Sequence, residues 1–140
     1  IMGLIKLTEG FSLISEGEHT FKVDEVVYKE EFGKLEVKLL AENGQKHTER
    51  YILMKADGSV NEGASNAFSY FAKTCMNDYT LTDIDPQKLV GKYIKASVYH
   101  DEVPSNKDPN KTVKFAHLEN MEVCNGPEGN TKYDLDDILG

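Results

Sequence analysis

The side chains in this sequence that could do chemistry are lysines and aromatic rings, which lie in segments predicted to be strands and loops. Single-stranded nucleic acid is held by cations that neutralise its phosphates and by rings on which its bases stack. Seven residues suit these roles and are predicted to form a nucleic-acid-binding surface: Phe32, Lys34, Lys38, His47, Tyr51, Lys107 and Lys111. Further stacking candidates are Tyr28, Tyr93 and Tyr99.

Side chains suited to catalysis or metal binding are scattered along the sequence. His100 and Asp101 are neighbours in a predicted strand, where successive side chains point to opposite faces, so the two side chains are poorly placed to bind one metal ion. The sequence has no phosphate-binding glycine loop, nucleophile motif or zinc pair. We therefore predict a protein that is not an enzyme, with no catalytic residues, no metal and no cofactor.

Length, charge and cysteine content limit the classes of protein to which this sequence can belong. The chain has 140 residues and a formal net charge of −8, which argues against a generic basic nucleic-acid binder. Residues 126–140 carry −3 of that charge, so an anionic ligand must find a local patch on an acidic body. The N-terminus lacks a signal-peptide pattern, and Cys75 and Cys124 lie far apart, so we expect reduced thiols in a cytoplasmic protein without a membrane segment.

The elements that must position these residues follow from hydrophobic periodicity. Three strands are predicted before a helix at 61–77 and two after it. The alternation slips by one residue at Asp24-Glu25 in the first strand and again within the fifth strand, as β-bulges do. This order predicts a mainly β, five-stranded barrel of the oligonucleotide/oligosaccharide-binding (OB) type with one helix between strands 3 and 4. The alternative is a small open α+β sheet capped by the helix.

The pair Asn43-Gly44 predicts a hairpin and fixes which side chains share a face. A two-residue turn there places Leu35 opposite Ile52 and Val37 opposite Arg50 on the core side. The same register puts Lys38 opposite Glu49 and places Tyr51 and His47 on the outside. Arg50 is the misfit, because this register turns its charge towards the core.

A family resemblance rests on four segments taken together. They are Tyr28 to Leu35, Asn61 to Phe71, Leu89-Val90-Gly91-Lys92 and Pro104 to Val113. The chain resembles the small single-stranded-DNA-binding-like proteins of phages and prophages of Gram-positive bacteria, over residues 8–124. The resemblance implies an OB fold, sequence-tolerant binding of single-stranded DNA, and a role in phage DNA replication or recombination inside the bacterial cell. It is also compatible with a homo-oligomer. The alternative is a protein-interaction adaptor of that machinery without DNA affinity.

The end of the chain is predicted to be an acidic tail, 125–140, after a domain at 1–124. Bacterial single-stranded-DNA-binding proteins end in an acidic, partly apolar tip that docks on partner proteins. A similar set here is Asp134, Asp136, Asp137, Ile138 and Leu139, which predicts contact with replication or recombination proteins. The tail lacks a long Gly/Pro/Gln-rich linker and a terminal Pro-Phe. A short helix or strap packed on the body is the alternative.

Overall fold

The fold is one five-stranded antiparallel sheet with a single α-helix after its third strand. The computed structural model describes residues 13–126. Its elements are β1 (Gly17–Lys29), β2 (Lys34–Ala41), β3 (Lys46–Ile52), α1 (Glu62–Met76), β4 (Tyr93–Pro104) and β5 (Thr112–Cys124). The sheet order is β3-β2-β1-β4-β5. The predicted element order is confirmed, but the sheet does not close: β3 and β5 are its edges, so the predicted barrel is not confirmed.

The core lies between one face of the sheet and α1. On β2 the apolar residues Leu35, Val37 and Leu39 alternate with polar ones and are almost fully buried. From α1, Phe71 and Ala72 pack against them, as the helical periodicity predicts. The Asn61 side chain accepts a hydrogen bond from the Ala64 N–H and caps the helix.

Two bulges bend the sheet where the sequence alternation slips. On β1 the ladder with β2 passes from Val23 directly to Glu25, so Asp24 is the extra residue. On β5 the residues from Glu119 to Glu122 span the same stretch as Ser97 to Lys95 on β4, and Asn120 has a φ of 52°. The first bulge returns Val26 to the core, and the ladder shifts register at both places, as the two predicted slips require.

The predicted register of the β2–β3 hairpin is wrong by one residue. Leu35 lies opposite Tyr51, and Glu36 lies opposite Arg50. The cause is a three-residue loop at 42–44: the Ala41 N–H donates to the Gln45 carbonyl at 2.8 Å, with Gly44 left-handed at φ 86°. A one-residue shift exchanges the two faces of β3.

The consequences of this shift fall on four of the residues discussed above. Arg50 points to solvent, while Tyr51 points into the core and His47 is largely covered. Lys38 remains on the outside as predicted, but Thr48 lies opposite it in place of Glu49. The expected Lys38–Glu49 pair is therefore absent.

Strands β4 and β5 extend past the rest of the sheet as a two-stranded arm, defined here as residues 99–117. The ladder between β1 and β4 ends where Gly17 pairs with Val98. Beyond that point, β4 and β5 pair with each other as far as Pro104 and Thr112. The chain before β1 runs beside the base of the arm, where the His100 Nε2 donates to the Ile14 carbonyl at 2.6 Å.

Candidate nucleic-acid interface

The side of β1, β2 and β3 that faces away from the core, called the outer face here, concentrates positive charge. The strand registers place the following cations on it: Lys22, Lys29, Lys34, Lys38, Lys46 and Arg50. The carboxylates there are Glu18, Glu25 and Glu36, and Asp24 joins them at the bulge. Six positive against four negative groups give the outer face +2 in a chain of net charge −8. This surface is the local patch that an anionic ligand requires.

Two of these cations already have carboxylate partners. Lys38 Nζ lies 3.4 Å from Glu25 Oε2, and Arg50 Nε donates to Glu36 Oε2 at 2.9 Å. Both pairs are solvent-exposed, and exposed pairs contribute only about 0–1 kcal/mol, so a phosphate can compete for either cation. Within residues 13–126, no ion pair engages the remaining four lysines, Lys22, Lys29, Lys34 and Lys46.

The outer face also offers apolar surface between its cations. Val27 and Ile52 line a shallow pocket of about 310 Å³ together with Lys29, Lys34 and Glu36. Ile52 is among the exposed large apolar side chains of the structure. An apolar floor bordered by ammonium groups suits a nucleotide, because the base covers the floor while the phosphate meets the cations.

Phe32 lies in the turn between β1 and β2, next to Lys34, which lines this pocket. It lies in a 3₁₀ turn, Glu30–Phe32, and its side chain is 58% exposed. The Lys34 Nζ sits 6.0 Å from the centre of its ring. Gly33 ends the turn in a left-handed conformation, and a Cβ there would overlap Met54. The close packing of Gly33 against Met54 fixes the conformation of the turn and so keeps the Phe32 ring next to Lys34.

A larger groove, of about 630 Å³, continues from the outer face to the arm. One side is formed by Lys38, Lys46 and Arg50, and the other by Lys114 and Phe115. The first described residues of the chain, Leu13 and Ile14, also line it. Arg50 lines both this groove and the pocket beside Phe32, so the two cavities share a wall.

Two predicted site residues lie on the core side of β3 instead of the outer face, although His47 also lines the larger groove. Tyr51 is only 6% exposed and packs edge-on against Phe68, with ring centres 5.3 Å apart. Burial, assisted by the nearby Glu49 carboxylate, raises the pKa of Tyr51 well above its ordinary value of 10.0. His47 Nε2 lies 2.8 Å from Glu49 Oε1 on the core side of β3. The prediction that Tyr51 and His47 face outwards is wrong, and the cause is the one-residue register error.

The remaining predicted residues separate into three places. Lys34 and Lys38 lie on the outer face, and Phe32 lies beside Lys34 in the turn between β1 and β2. Lys107 and Lys111 lie in the loop at the tip of the arm, where the Lys111 N–H donates to the Asp108 carbonyl at 3.0 Å. The tail residues Asp134, Asp136, Asp137, Ile138 and Leu139 lie outside the described residues, as does most of the predicted tail.

Several residues of the outer face and of the larger groove were missed by the sequence reasoning. On the outer face they are Lys22, Lys29, Lys46 and Arg50, and in the groove they are Lys114 and Phe115. The signal that could have revealed Arg50 was its position on the predicted core face, since a buried unpaired guanidinium is rare. Once β3 is shifted by one residue, Lys46 and Arg50 move together to the outer face beside Lys38.

No protein-family model matches the chain, and no curated protein matches it significantly. Within residues 13–126, no group of three or more His, Cys, Asp or Glu side chains could hold a metal ion. The helix found in that part of the chain lacks the length and apolar character needed to cross a membrane.

Proposed function

We propose that this protein binds single-stranded DNA along the outer face of β1–β3, with little sequence preference. The observation that carries the proposal is the charge on that face, +2 in a chain of −8, arranged around an apolar floor near the exposed Phe32 ring. Phosphates require the cations, and bases require the ring and the floor. Neither contact reads base edges, so the binding tolerates any sequence.

The strand arrangement supports an OB-type assignment as part of this proposal. An OB fold is a five-stranded, partly open barrel that binds oligonucleotides on strands 2 and 3 and on the loops after strands 1 and 4. Here β2 and β3 carry the cations, and the β1–β2 turn carries Phe32. The groove between β3 and β5 corresponds to the opening of such a barrel.

The mechanism assigns a role to each group. Lys22, Lys29, Lys34 and Lys46 neutralise phosphates. Lys38 and Arg50 exchange a carboxylate for phosphate as the strand binds, and because each exchange frees one carboxylate it adds no net release of counterions. A base stacks on Phe32, which keeps its predicted role, while Tyr51 loses its own. The protein would serve in phage or prophage DNA replication or recombination in the cytoplasm, with the acidic tail as a contact for other proteins of that machinery.

Fluorescence anisotropy with labelled oligo-dT tests the proposal. Binding is expected at low salt, with a weaker complex as salt rises. Phe32→Ala should weaken it by about 1–3 kcal/mol, the usual contribution of one stacked base, without lowering the melting temperature. Tyr79→Ala, which removes another exposed ring on the helix side of the molecule, is the matched control. Absence of oligo-dT binding by the intact chain at low salt would refute the proposal.

A second candidate function follows from the charge outside the outer face. Subtracting +2 from −8 leaves −10 on the rest of the chain. Such an acidic surface suits a protein-interaction adaptor that contacts basic partners without touching DNA. A pull-down that depends on residues 133–140, from a chain with no affinity for oligo-dT, would select this alternative.

A further inference from the structure

The chain that precedes β1 is held against the sheet by two histidines. Residues 13–16 form this strap. The His19 Nε2, on β1, donates to the Ser15 carbonyl at 2.7 Å, and the His100 Nε2, on β4, donates to the Ile14 carbonyl at 2.6 Å. Ile14 is only 1% exposed and also lines the larger groove. The strap therefore forms part of one wall of that groove.

Two acceptors face the two nitrogens of the His19 ring. Its Nδ1 lies 2.9 Å from Glu42 Oε1 in the loop between β2 and β3, and the same carboxylate accepts the Thr20 N–H at 3.2 Å. At Nε2 the Ser15 carbonyl can only accept. A neutral imidazole has one N–H donor, so it satisfies only one of these acceptors, and the ring is 6% exposed, which leaves little access for water. The two contacts together require an imidazolium.

The same residues do not form a hydrolytic site, although Ser15, His19 and Glu42 are the residue types of a catalytic triad. The Ser15 hydroxyl lies 3.4 Å from the His19 Nε2 but donates to Gln45 Oε1 at 2.9 Å. An imidazolium has no lone pair with which to take a hydroxyl proton. The cluster therefore holds the strap and offers no general base.

Glu42 is the charged group that contacts the His19 ring within residues 13–126. The charged residues next to the ring on the two strands, Glu18 and Lys95, pair with each other on the opposite face. Loss of a proton from His19 therefore acts on one ion pair and on the attachment of the strap. Around the rest of the ring lie groups that carry no charge: Ala96 of β4, Phe21 of β1 and the Ser15 carbonyl of the strap.

His100 holds the strap in either protonation state. Its Nδ1 is 3.8 Å from Glu16 Oε1, beyond hydrogen-bond distance, so a neutral ring with its proton on Nε2 keeps the Ile14 contact. The His100 N–H also donates to Glu16 Oε2 at 3.2 Å. Of the two histidines, His19 is the one that makes attachment of the strap depend on a proton.

We infer that the strap is a pH-sensitive wall of the larger groove, attached at both histidines while His19 is an imidazolium and at His100 alone once His19 gives up a proton to solvent. The remaining ring proton stays on Nδ1, beside the Glu42 carboxylate, and the Nε2 lone pair then faces the Ser15 carbonyl oxygen. These two groups repel each other, so Ser15 leaves the ring and the groove widens on that side.

The direction of the change follows from the protonated ring being the one that holds Ser15. Histidine ordinarily loses its proton between about pH 5 and about pH 8, so the strap is closed at the acidic end of this range and opens as pH rises. The inference does not depend on what the groove binds, and it stands apart from the proposed function.

Amide hydrogen exchange in the full chain tests the inference. The Ser15 N–H donates to Gln45 Oε1 at 3.0 Å, so its protection reports the closed strap. Corrected for the intrinsic rate at each pH, this protection should fall by about tenfold from about pH 5 to about pH 8, the effect of losing one charge-assisted hydrogen bond. The amide of Val37, a fully buried residue of β2, should show no such fall.

Glu42→Gln removes the need for an imidazolium. The glutamine amide donates to Nδ1 of a neutral ring, whose Nε2 proton then still reaches the Ser15 carbonyl. Ser15 protection in this variant should therefore stay constant over the same pH range. Glu16→Gln makes the same change beside His100 and is the matched control, in which the fall should persist.

The inference is overturned by constant Ser15 protection in the intact chain, by an equal fall in the Glu42→Gln variant, or by loss of the fall in the Glu16→Gln control. Nitrogen NMR spectra of the His19 ring in the intact chain provide a test that needs no variant. Both ring nitrogens should carry protons while Ser15 is protected, and a neutral ring in the closed strap would contradict the inference.

Discussion

Replacing Lys29 and Lys46 together by glutamine should flatten the salt dependence of oligonucleotide binding. Lys29 lines the pocket beside Phe32, and Lys46 lines the groove next to the arm, so the pair samples both cavities. Each phosphate contact on a single strand contributes about −0.7 to the slope of log K against log salt. Four unpaired lysines on the outer face therefore predict a slope of about −2.8, and two remaining lysines predict about −1.4.

These slopes convert into measurable affinities. Between about 50 and 200 mM salt the intact chain should lose about 50-fold in affinity, and the Lys29→Gln/Lys46→Gln variant only about 7-fold. Anisotropy titrations at four salt concentrations measure both slopes. Lys73→Gln/Lys88→Gln is the matched control, because it removes the same charge from residues off the outer face. The reasoning fails if the control flattens the slope as much as the test variant does, or if both variants retain the slope of the intact chain.

Three further predictions concern stability. Tyr51→Ala should lower the free energy of unfolding by about 3–5 kcal/mol in urea titrations, because the ring is buried in the core. Tyr51→Phe should leave oligo-dT binding unchanged. A loss of binding in Tyr51→Phe would show that Tyr51 contacts DNA and would contradict this prediction. Gly33→Ala should cost about 1–3 kcal/mol, since φ is 61° and the added methyl meets Met54; an unchanged melting temperature would contradict this. Burial raises the pKa of Cys75 from 9.0 to about 12, so the unfolded chain ionises first and stability falls as pH rises through that window. This contribution is about 1.4 kcal/mol per pH unit, and Cys75→Ala should show a shallower decline in urea titrations at several pH values; an identical decline would contradict it.

Much of the fold could be predicted from the sequence because its signals are local. The helix periodicity placed Phe71, Ala72 and Cys75 on the buried face, and Asn61 caps the helix. The slip at Asp24 in β1 was visible as a break in alternation, since a bulge changes which residues face the core. Closure of the sheet was not predictable in this way, because it depends on contacts between β3 and β5 far apart in the chain.

The candidate site was predicted less well because it depends on register. Asn-Gly is compatible with both a two-residue and a three-residue loop, and the choice between them decides which face of β3 is buried. The shorter loop would bury Arg50, while the longer one buries Tyr51 and exposes Arg50. The desolvation cost of an unpaired guanidinium makes the longer loop the stable choice. The one extra loop residue removes Tyr51 from the two predicted stacking residues, Tyr51 and Phe32, because it turns the Tyr51 ring into the core.

An NMR titration tests most directly whether the outer face of β1–β3 is the DNA-binding surface. An isotopically labelled chain is titrated with oligo-dT of about eight nucleotides, a typical length for one such domain. The largest amide shifts are expected at Phe32, Lys34, Lys46 and Ile52, with little change along α1. Largest shifts along α1, or no shifts at any oligonucleotide concentration, would contradict the account.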